Sequence, residues 1–291
     1  MPPKLVLGMN QHEKDVENFY SKGARRVVKE GENFKHFSEG FISFGYWEPG
    51  DTYVDAAKRL LRFFIDNSGI KKAGRILNVA CGYGAESFAY FKKFRPGELI
   101  GIDITQAHVD YANWKAKELG VAKKVKFVHG DAVALDFPDA SFSHILGIEG
   151  PAHFNTREKF FKSAGRVLKK KGELLLTDII LGEKFRKWNP VHQIVLRAGA
   201  KGWVVPIING IKEKEYVKQL EGAGFEIVFL KRIGDKVFPG YAGHFTEEKR
   251  KENRKRMSFF AELGLTKIGR MLGYLYRKGF IEYIYVKARK K

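Results

Sequence analysis

Seven short apolar runs, most of them separated by stretches of helical periodicity, constrain this chain more than any other feature. They are RILNVA (75–80), ELIGID (98–103), KVKFVHG (124–130), FSHILGI (142–148), GELLLTDII (172–180), FEIVFLKRI (225–233) and IEYIYVKA (281–288). Strands that alternate with amphipathic helices pair in parallel, and the connecting helices cover both faces of the sheet. An α/β architecture follows. Residues 106–119 place Val109, Ala112, Ala116 and Leu119 on one stripe before Gly120. Residues 156–168, capped by Asn155 or Thr156, turn Phe160, Phe161, Ala164, Val167 and Leu168 inward. Residues 212–221 carry Tyr216, Val217 and Leu220 ahead of the stop signal EGAG.

Three segments stand outside the alternation. Residues 1–67 predict helices around an aromatic, glycine-bearing break, FISFGYWEPG (41–50), the second helix turning Val54, Ala57, Leu61 and Phe64 inward. Residues 183–211 form an insertion after the fifth strand, and residues 234–279 hold the basic run EEKRKENRKR (247–256) followed by an apolar stripe of Phe259, Phe260, Leu263, Ile268, Leu272 and Leu275. A chain of 291 residues that is 44% hydrophobic suits one large domain with appendages. The expected division is a helical lid over 1–67, a core over 68–182, a lid insertion and helix over 183–224, and the last two strands over 225–291.

Composition narrows the setting. No apolar run reaches the roughly 18 residues a membrane helix needs, and MPPKLVLGMNQHEKD is too weakly apolar for a signal peptide, so a cytoplasmic protein is expected. Cys81 is the single cysteine, which excludes disulfides within the chain and cysteine-based zinc sites; no metal is expected. A net charge of +20 and an isoelectric point near 9.8 favour anionic partners such as RNA, phosphorylated metabolites or acidic lipid headgroups. A Lys-rich, Glu-rich surface of the thermophilic kind accounts for the same charge.

In an open α/β sheet ligands bind beyond the carboxyl ends of the strands. The first strand runs into ACGYG, where Gly82 and Gly84 let a ligand approach the backbone. The second ends in Asp103, about 20 residues further on, the spacing at which a carboxylate meets ribose hydroxyls. The third ends in Gly130-Asp131-Ala132, the fourth in GIEGPAHF and the fifth in Thr177-Asp178. Two positions depart from the usual loop: Asn78 replaces an acid and Ala80 a glycine, and Asn78→Asp is the substitution that measures the consequence for cofactor affinity.

Together ILNVACGYG, LIGID, HGDAVALDFPDASFSHIL and RVLKKKGELLLTD, over roughly 75–180, resemble the class I S-adenosylmethionine-dependent methyltransferases. FISFGYWEPGDTYVDAAKRLL and IEGPAHFNTREKFFKSAGRVL are similar to the small-molecule branch, which includes tocopherol, sarcosine/dimethylglycine and sugar methyltransferases and cyclopropane fatty acid synthases. The resemblance implies a Rossmann-like, mostly parallel seven-stranded sheet with an antiparallel last strand, helices on both faces and a helical lid. It also implies S-adenosylmethionine as cofactor. Ala80, Cys81, Gly82 and Gly84 would cradle its methionine part, Asp103 the ribose, Ile104 the adenine face, and Asp131 with Ala132 the adenine edge. Ile148 would line the same site, with Ser43, Tyr46 and Tyr20 closing over it.

For the chemistry, His153 is the natural proton acceptor, since a histidine titrates near neutrality. Asp178 would orient its imidazole or bind substrate, and Glu149 would bind a substrate amine or cap a helix. The plainer reading makes His153 an exposed loop residue with a structural bond. The branch's cyclopropane synthases carry Glu-His-Phe where this chain has Ala152-His153-Phe154, which disfavours alkene cyclopropanation. The fourth strand lacks the Asn/Asp-Pro-Pro-aromatic tetrad of base-amine methyltransferases, and no cysteine is available for pyrimidine carbon-5 chemistry. The expected activity is methyl transfer to an oxygen or nitrogen of a small molecule, anionic or lipid-like. The alternatives are a lipid or isoprenoid methyltransferase at a membrane surface, with peripheral contact through the basic C-terminal segment, and an RNA-binding protein or RNA methyltransferase.

Overall fold

The computed structural model describes residues 9–30, 39–244 and 259–291. The basic run 247–256 lies outside the described residues, as do the side chains of Phe259, Phe260 and Leu263. In chain order the main elements are α1 (Gln11–Glu30), α2 (Tyr53–Asp66), β1 (Arg75–Val79), α3 (Ala85–Phe94), β2 (Glu98–Asp103), α4 (Gln106–Glu118), β3 (Val125–His129), β4 (Phe142–Ile148), α5 (Arg157–Val167), β5 (Leu168–Leu181), α6 (Pro190–Trp203), α7 (Glu213–Gly222), β6 (Phe225–Arg232), α8 (Gly234–His244), α9 (Phe259–Arg277) and β7 (Ile281–Lys290).

The sheet has seven strands in the order β3-β2-β1-β4-β5-β7-β6. β1 pairs in parallel with β2 and β4, β2 with β3, and β4 with β5. β7 runs antiparallel between β5 and β6. The chain winds outward in both directions from β1, so the helices after β1 and β4 leave on opposite faces and a crevice opens above the ends of these two strands.

The two-residue period of the strands divides the core. Leu174 and Leu176 face α5 and α7 in one apolar layer, while Leu175 between them faces α2, α3 and α4 in the other. Each such fully buried leucine contributes about 1.5–3 kcal/mol relative to exposure. The stripe predicted for α5 is buried throughout. In α4 the stripe stops one residue early: Leu119 follows the helix and is 49% exposed. In α2 the buried face is Tyr53, Ala56, Ala57, Leu60, Leu61 and Phe64, with Val54 at its margin. A reciprocal cap between Thr52 and Asp55 starts that helix.

The aromatic break docks on α2. Tyr46 N donates to Ala56 O at 2.9 Å, and Gly45 sits so close that a Cβ would lie 2.8 Å from Ala56 Cβ. Trp47 is held from the other side by α8, its N donating to Lys236 O at 2.7 Å. The helices of the 234–279 segment therefore cover the same face of the sheet as the N-terminal break, and between them they roof the crevice.

Candidate active site

A cavity of about 440 Å³ lies at the carboxyl ends of β1 to β4, walled by α1, the aromatic break and the end of α6. Its floor is the loop after β1. Ala80, Gly82 and Gly84 take φ of +50°, +51° and +85°, a region that favours glycine. At Ala80 an alanine does it, and the space for its methyl comes from Gly150, where a Cβ would stand 2.6 Å from Ala80 Cβ. The glycine expected at one position is thus supplied by a glycine across the crevice. Gly84 begins α3 and is needed for packing, since its Cβ would meet Phe127 Cζ at 2.8 Å. Asn78 is buried and its side-chain nitrogen donates to Ser87 Oγ at 2.8 Å, tying β1 to the start of α3. Cys81 is buried, and burial pushes its thiol well above the usual range, as a packing residue requires.

Asp103 fixes the loop from the neighbouring strand. Its Oδ2 accepts from Gly82 N at 2.8 Å and its Oδ1 from Thr105 N at 2.9 Å, with His108 Nδ1 at 3.2 Å. Burial opposes its ionisation, but His108 and these N–H groups hold the carboxyl below its ordinary value. Asp131 accepts from Val133 N at 2.9 Å. Burial raises it to about 6, reinforced by Glu13 of α1. Ile104, Ala132 and Ile148 complete this wall.

His153 stands opposite. Its Nδ1 faces Val204 O at 3.4 Å; a carbonyl only accepts, so Nδ1 carries the proton and Nε2 presents its lone pair. Tyr20 Oη lies 3.0 Å from that Nε2. His12 Nε2 donates to the His153 carbonyl at 2.8 Å, so two residues of α1 grip this segment. Burial pushes the imidazole down to about 4, and raises the Tyr20 hydroxyl with help from Glu149 and Asp103. The imidazole is therefore neutral and the phenol protonated at neutral pH.

Glu149 Oε1 accepts from Phe44 N at 2.8 Å and from the Tyr283 hydroxyl at 2.7 Å. It ties the roof to β7. Burial raises its carboxyl to about 8 despite these bonds. A carboxyl whose folded pKa exceeds its unfolded value contributes stability below the unfolded pKa, and that stability is lost as pH rises through the folded one. Glu149→Gln keeps an Oε1 for both donors and removes the titration. Its melting temperature should match wild type near pH 4.5 and pull ahead progressively up to pH 8 in thermal denaturation; a constant difference across that range would contradict a raised carboxyl.

Of the residues singled out in the sequence, the cavity wall gathers Tyr20, Ser43, Ala80, Cys81, Gly82, Asp103, Ile104, Asp131, Ala132, Ile148, Glu149 and His153. Three stand apart. Tyr46 stacks on Phe63 at 5.3 Å between ring centroids, Gly84 packs under Phe127, and Asp178 is fully buried behind the wall. Asp178 does not reach the imidazole. Its Oδ2 and Oδ1 accept from Arg157 Nε at 2.7 Å and Nη2 at 2.9 Å. Arg157 also binds the Asn209 carbonyl, and Asn209 Nδ2 donates to Ala152 O at 2.9 Å and Phe154 O at 2.7 Å. Asp178 is thus linked through Arg157 and Asn209 to the backbone on either side of His153.

Sequence reasoning missed Glu86, Phe44, Trp203, Tyr241, His12 and Glu13, all on the wall. Burial raises Glu86 to about 7. Phe44 stacks on Trp203 at 5.2 Å and meets Tyr241 edge-on at 4.9 Å. The aromatic break hinted at Phe44; Trp203 and Tyr241 arrive from remote segments with no local signal.

Comparison with known proteins agrees with this geometry. A family model described as "Methyltransferase domain" matches residues 70–224, more than half of the chain. The erythromycin 3''-O-methyltransferase of Saccharopolyspora erythraea is 29% identical over 219 residues, 74% of this chain and 72% of that protein. The sterol 24-C-methyltransferase of Pneumocystis carinii is 24% identical over 262 residues, 90% and 69%; of a further fungal sterol methyltransferase, from Aspergillus fumigatus, the chain spans 49%. A solved putative sarcosine dimethylglycine methyltransferase from Galdieria sulphuraria superposes with a TM-score of 0.76 at 17% identity, over 91% of this chain and 98% of that one. The strand-end loop, its paired carboxylates and the matching domain together make the chain a member of the methyltransferase-domain family, an S-adenosylmethionine-dependent small-molecule methyltransferase of class I.

Proposed function

We propose that the protein methylates an oxygen or nitrogen of a small, largely apolar acceptor, with His153 and Tyr20 taking up the acceptor's proton. The observation that carries this reading is the 3.0 Å contact at the cavity wall between Tyr20 Oη and the unprotonated His153 Nε2, whose lone pair accepts from that hydroxyl. The wall fits the cofactor: the glycine at position 82 leaves the backbone open, and the Asp103 carboxylate, ionised and aimed across the loop, suits ribose hydroxyls. Asp131, Ala132 and Ile104 would hold the adenine, and the 80–82 stretch the methionine part.

S-adenosylmethionine supplies a methyl group on a sulfonium, whose sulfur keeps the electron pair of the broken carbon–sulfur bond as the acceptor's lone pair forms the new bond to carbon. The protein's work is to orient the acceptor and remove its proton. Tyr20 passes its hydroxyl proton to His153 Nε2 and takes the acceptor's proton in its place. Phe44, Trp203 and Tyr241 give the acceptor an aromatic wall. Among the described residues that line the cavity none is a lysine or arginine, while Glu86 and Glu149 both reach it. A neutral or cationic reacting end suits this wall better than an anionic one, despite the charge of the whole chain.

The test uses methyl-labelled cofactor with a metabolite extract, followed by mass spectrometry of the labelled product. Label on oxygen or nitrogen supports the proposal, and label on carbon overturns it. Titration calorimetry isolates the cofactor half. Asp103→Asn cannot accept from Gly82, Thr105 and His108 together, and should weaken S-adenosylmethionine about 10- to 100-fold.

A further inference from the structure

The insertion between β5 and β6 has two faces of different character. Its inner end forms the cavity wall, through Trp203 and the Val204 carbonyl that meets His153. Its outer face is exposed and apolar. Among the described residues twelve large hydrophobic side chains are exposed, and five fall between 188 and 208: Trp188 at 79%, Val191 at 64%, Ile194 at 67%, Ile207 at 45% and Ile208 at 63%. The solvent side of a surface helix is ordinarily polar. In α6 it is the stripe Pro190, Val191, Ile194, Arg197, Ala198 and Lys201.

Charge distinguishes between occupants. From Lys184 to Lys212 there is no acidic residue, and six of the residues are lysine or arginine: Lys184, Arg186, Lys187, Arg197, Lys201 and Lys212. Lys187 pairs with Glu215 and Lys212 lies near Glu183; Arg197 and Lys201 have no carboxylate partner among the described residues. A second copy of this face would bring like charges together. Nucleic acid would meet the cations but leave the isoleucines and valine without a partner. An anionic bilayer surface satisfies both, since apolar side chains enter the acyl boundary while the cations stay at the phosphates. We propose that α6 and the 207–208 turn dock on an anionic membrane surface, placing the mouth of the cavity where a membrane-partitioned acceptor can enter. The surface stands or falls independently of which atom is methylated.

The experiment is co-sedimentation of the full-length protein with vesicles of phosphatidylcholine alone and of phosphatidylcholine mixed equally with phosphatidylglycerol. Wild type should pellet with the anionic vesicles, and salt at about 0.5 M should release much of it. Because the whole chain is basic, the deciding variant leaves charge unchanged: Trp188→Ser with Ile194→Ser should lower partitioning at least about tenfold, with S-adenosylmethionine binding by calorimetry as in wild type. Arg197→Glu with Lys201→Glu should do the same. Equal sedimentation of wild type and both variants would overturn the proposal. So would a concentration-dependent dimer abolished by the Trp188/Ile194 pair, since that would assign the face to a second copy.

Discussion

Replacing His153 by alanine is expected to lower kcat by about 10²–10⁴-fold while leaving S-adenosylmethionine affinity near wild type. The expectation follows from geometry first. The Nδ1 proton is committed to the Val204 carbonyl, Nε2 meets the Tyr20 hydroxyl, and both groups look into the cavity. Tyr20→Phe should reproduce part of the loss, because it breaks the relay but leaves the imidazole. The pH profile is the readout that a purely structural histidine would not produce. With the imidazole pushed down to about 4 by burial, the neutral form persists from neutral pH down to about 5, so kcat should stay flat there and fall below as Nε2 becomes protonated. Stability carries the same sign. The unfolded chain takes up a proton below about pH 6.5 that the folded chain refuses until about 4, so stability falls across that window. Steady-state kinetics with methyl-labelled cofactor and the acceptor identified from the extract decides: a His153→Ala enzyme with unchanged kcat ends the general-base reading.

The second large effect is on folding. Arg157→Met should destabilise the protein by about 3–5 kcal/mol, a fall of roughly 10 °C in melting temperature. Arg157 and Asp178 are almost wholly buried, at 1% and 0% side-chain exposure, and removing the guanidinium leaves a carboxylate facing no countercharge in an apolar layer. Asp178 then keeps Ile179 N at 2.8 Å as a backbone donor, with the Tyr216 hydroxyl beside it. The paired replacement Arg157→Met with Asp178→Leu should recover most of the loss, because the cost lies in the orphaned charge rather than in the missing pair. A double-mutant cycle by thermal denaturation measures this, and a single variant costing under about 1 kcal/mol would show that water reaches the pair. The double variant also tests the link to chemistry. It folds but lacks the Arg157 bond to Asn209, so Ala152 and Phe154 lose part of their anchor, and kcat should fall more than KM changes.

The seven strands were legible because each carries its signal locally, as an apolar run of the right length. β2 and β4 begin and end where the sequence predicts. β5 begins four residues earlier than GELLLTDII, at Leu168, since α5 hands directly into it and the lysines at 169–171 read as a turn. The floor of the site was legible for the same reason, because Gly82, Asp103 and Asp131 sit at strand ends and share one edge of the sheet wherever a parallel sheet forms. Asp178 shows where that logic stops. The sequence places it at a strand end, yet β5 runs on to Leu181 and Asp178 pairs with Ile284 inside the sheet, behind the wall, and its partner Arg157 comes from the first turn of the preceding helix.

By itself the sequence determined the α/β class and the strand-end half of the cavity, since these depend on short-range periodicity and on residues at fixed offsets from strand ends; the cofactor came from the resemblance of those motifs to a known family. Only the tertiary structure decided the other half. Tyr20 meets His153 across 133 residues, Glu149 meets Tyr283 across 134, and Trp203 meets Phe44 from an insertion whose place no local pattern encodes. Such contacts are set by how helices of the lid close over the sheet, a matter of long-range packing. The same closure explains Ala80: its methyl looks like a defect in the loop until Gly150, on the next strand's exit, is seen to leave room for it.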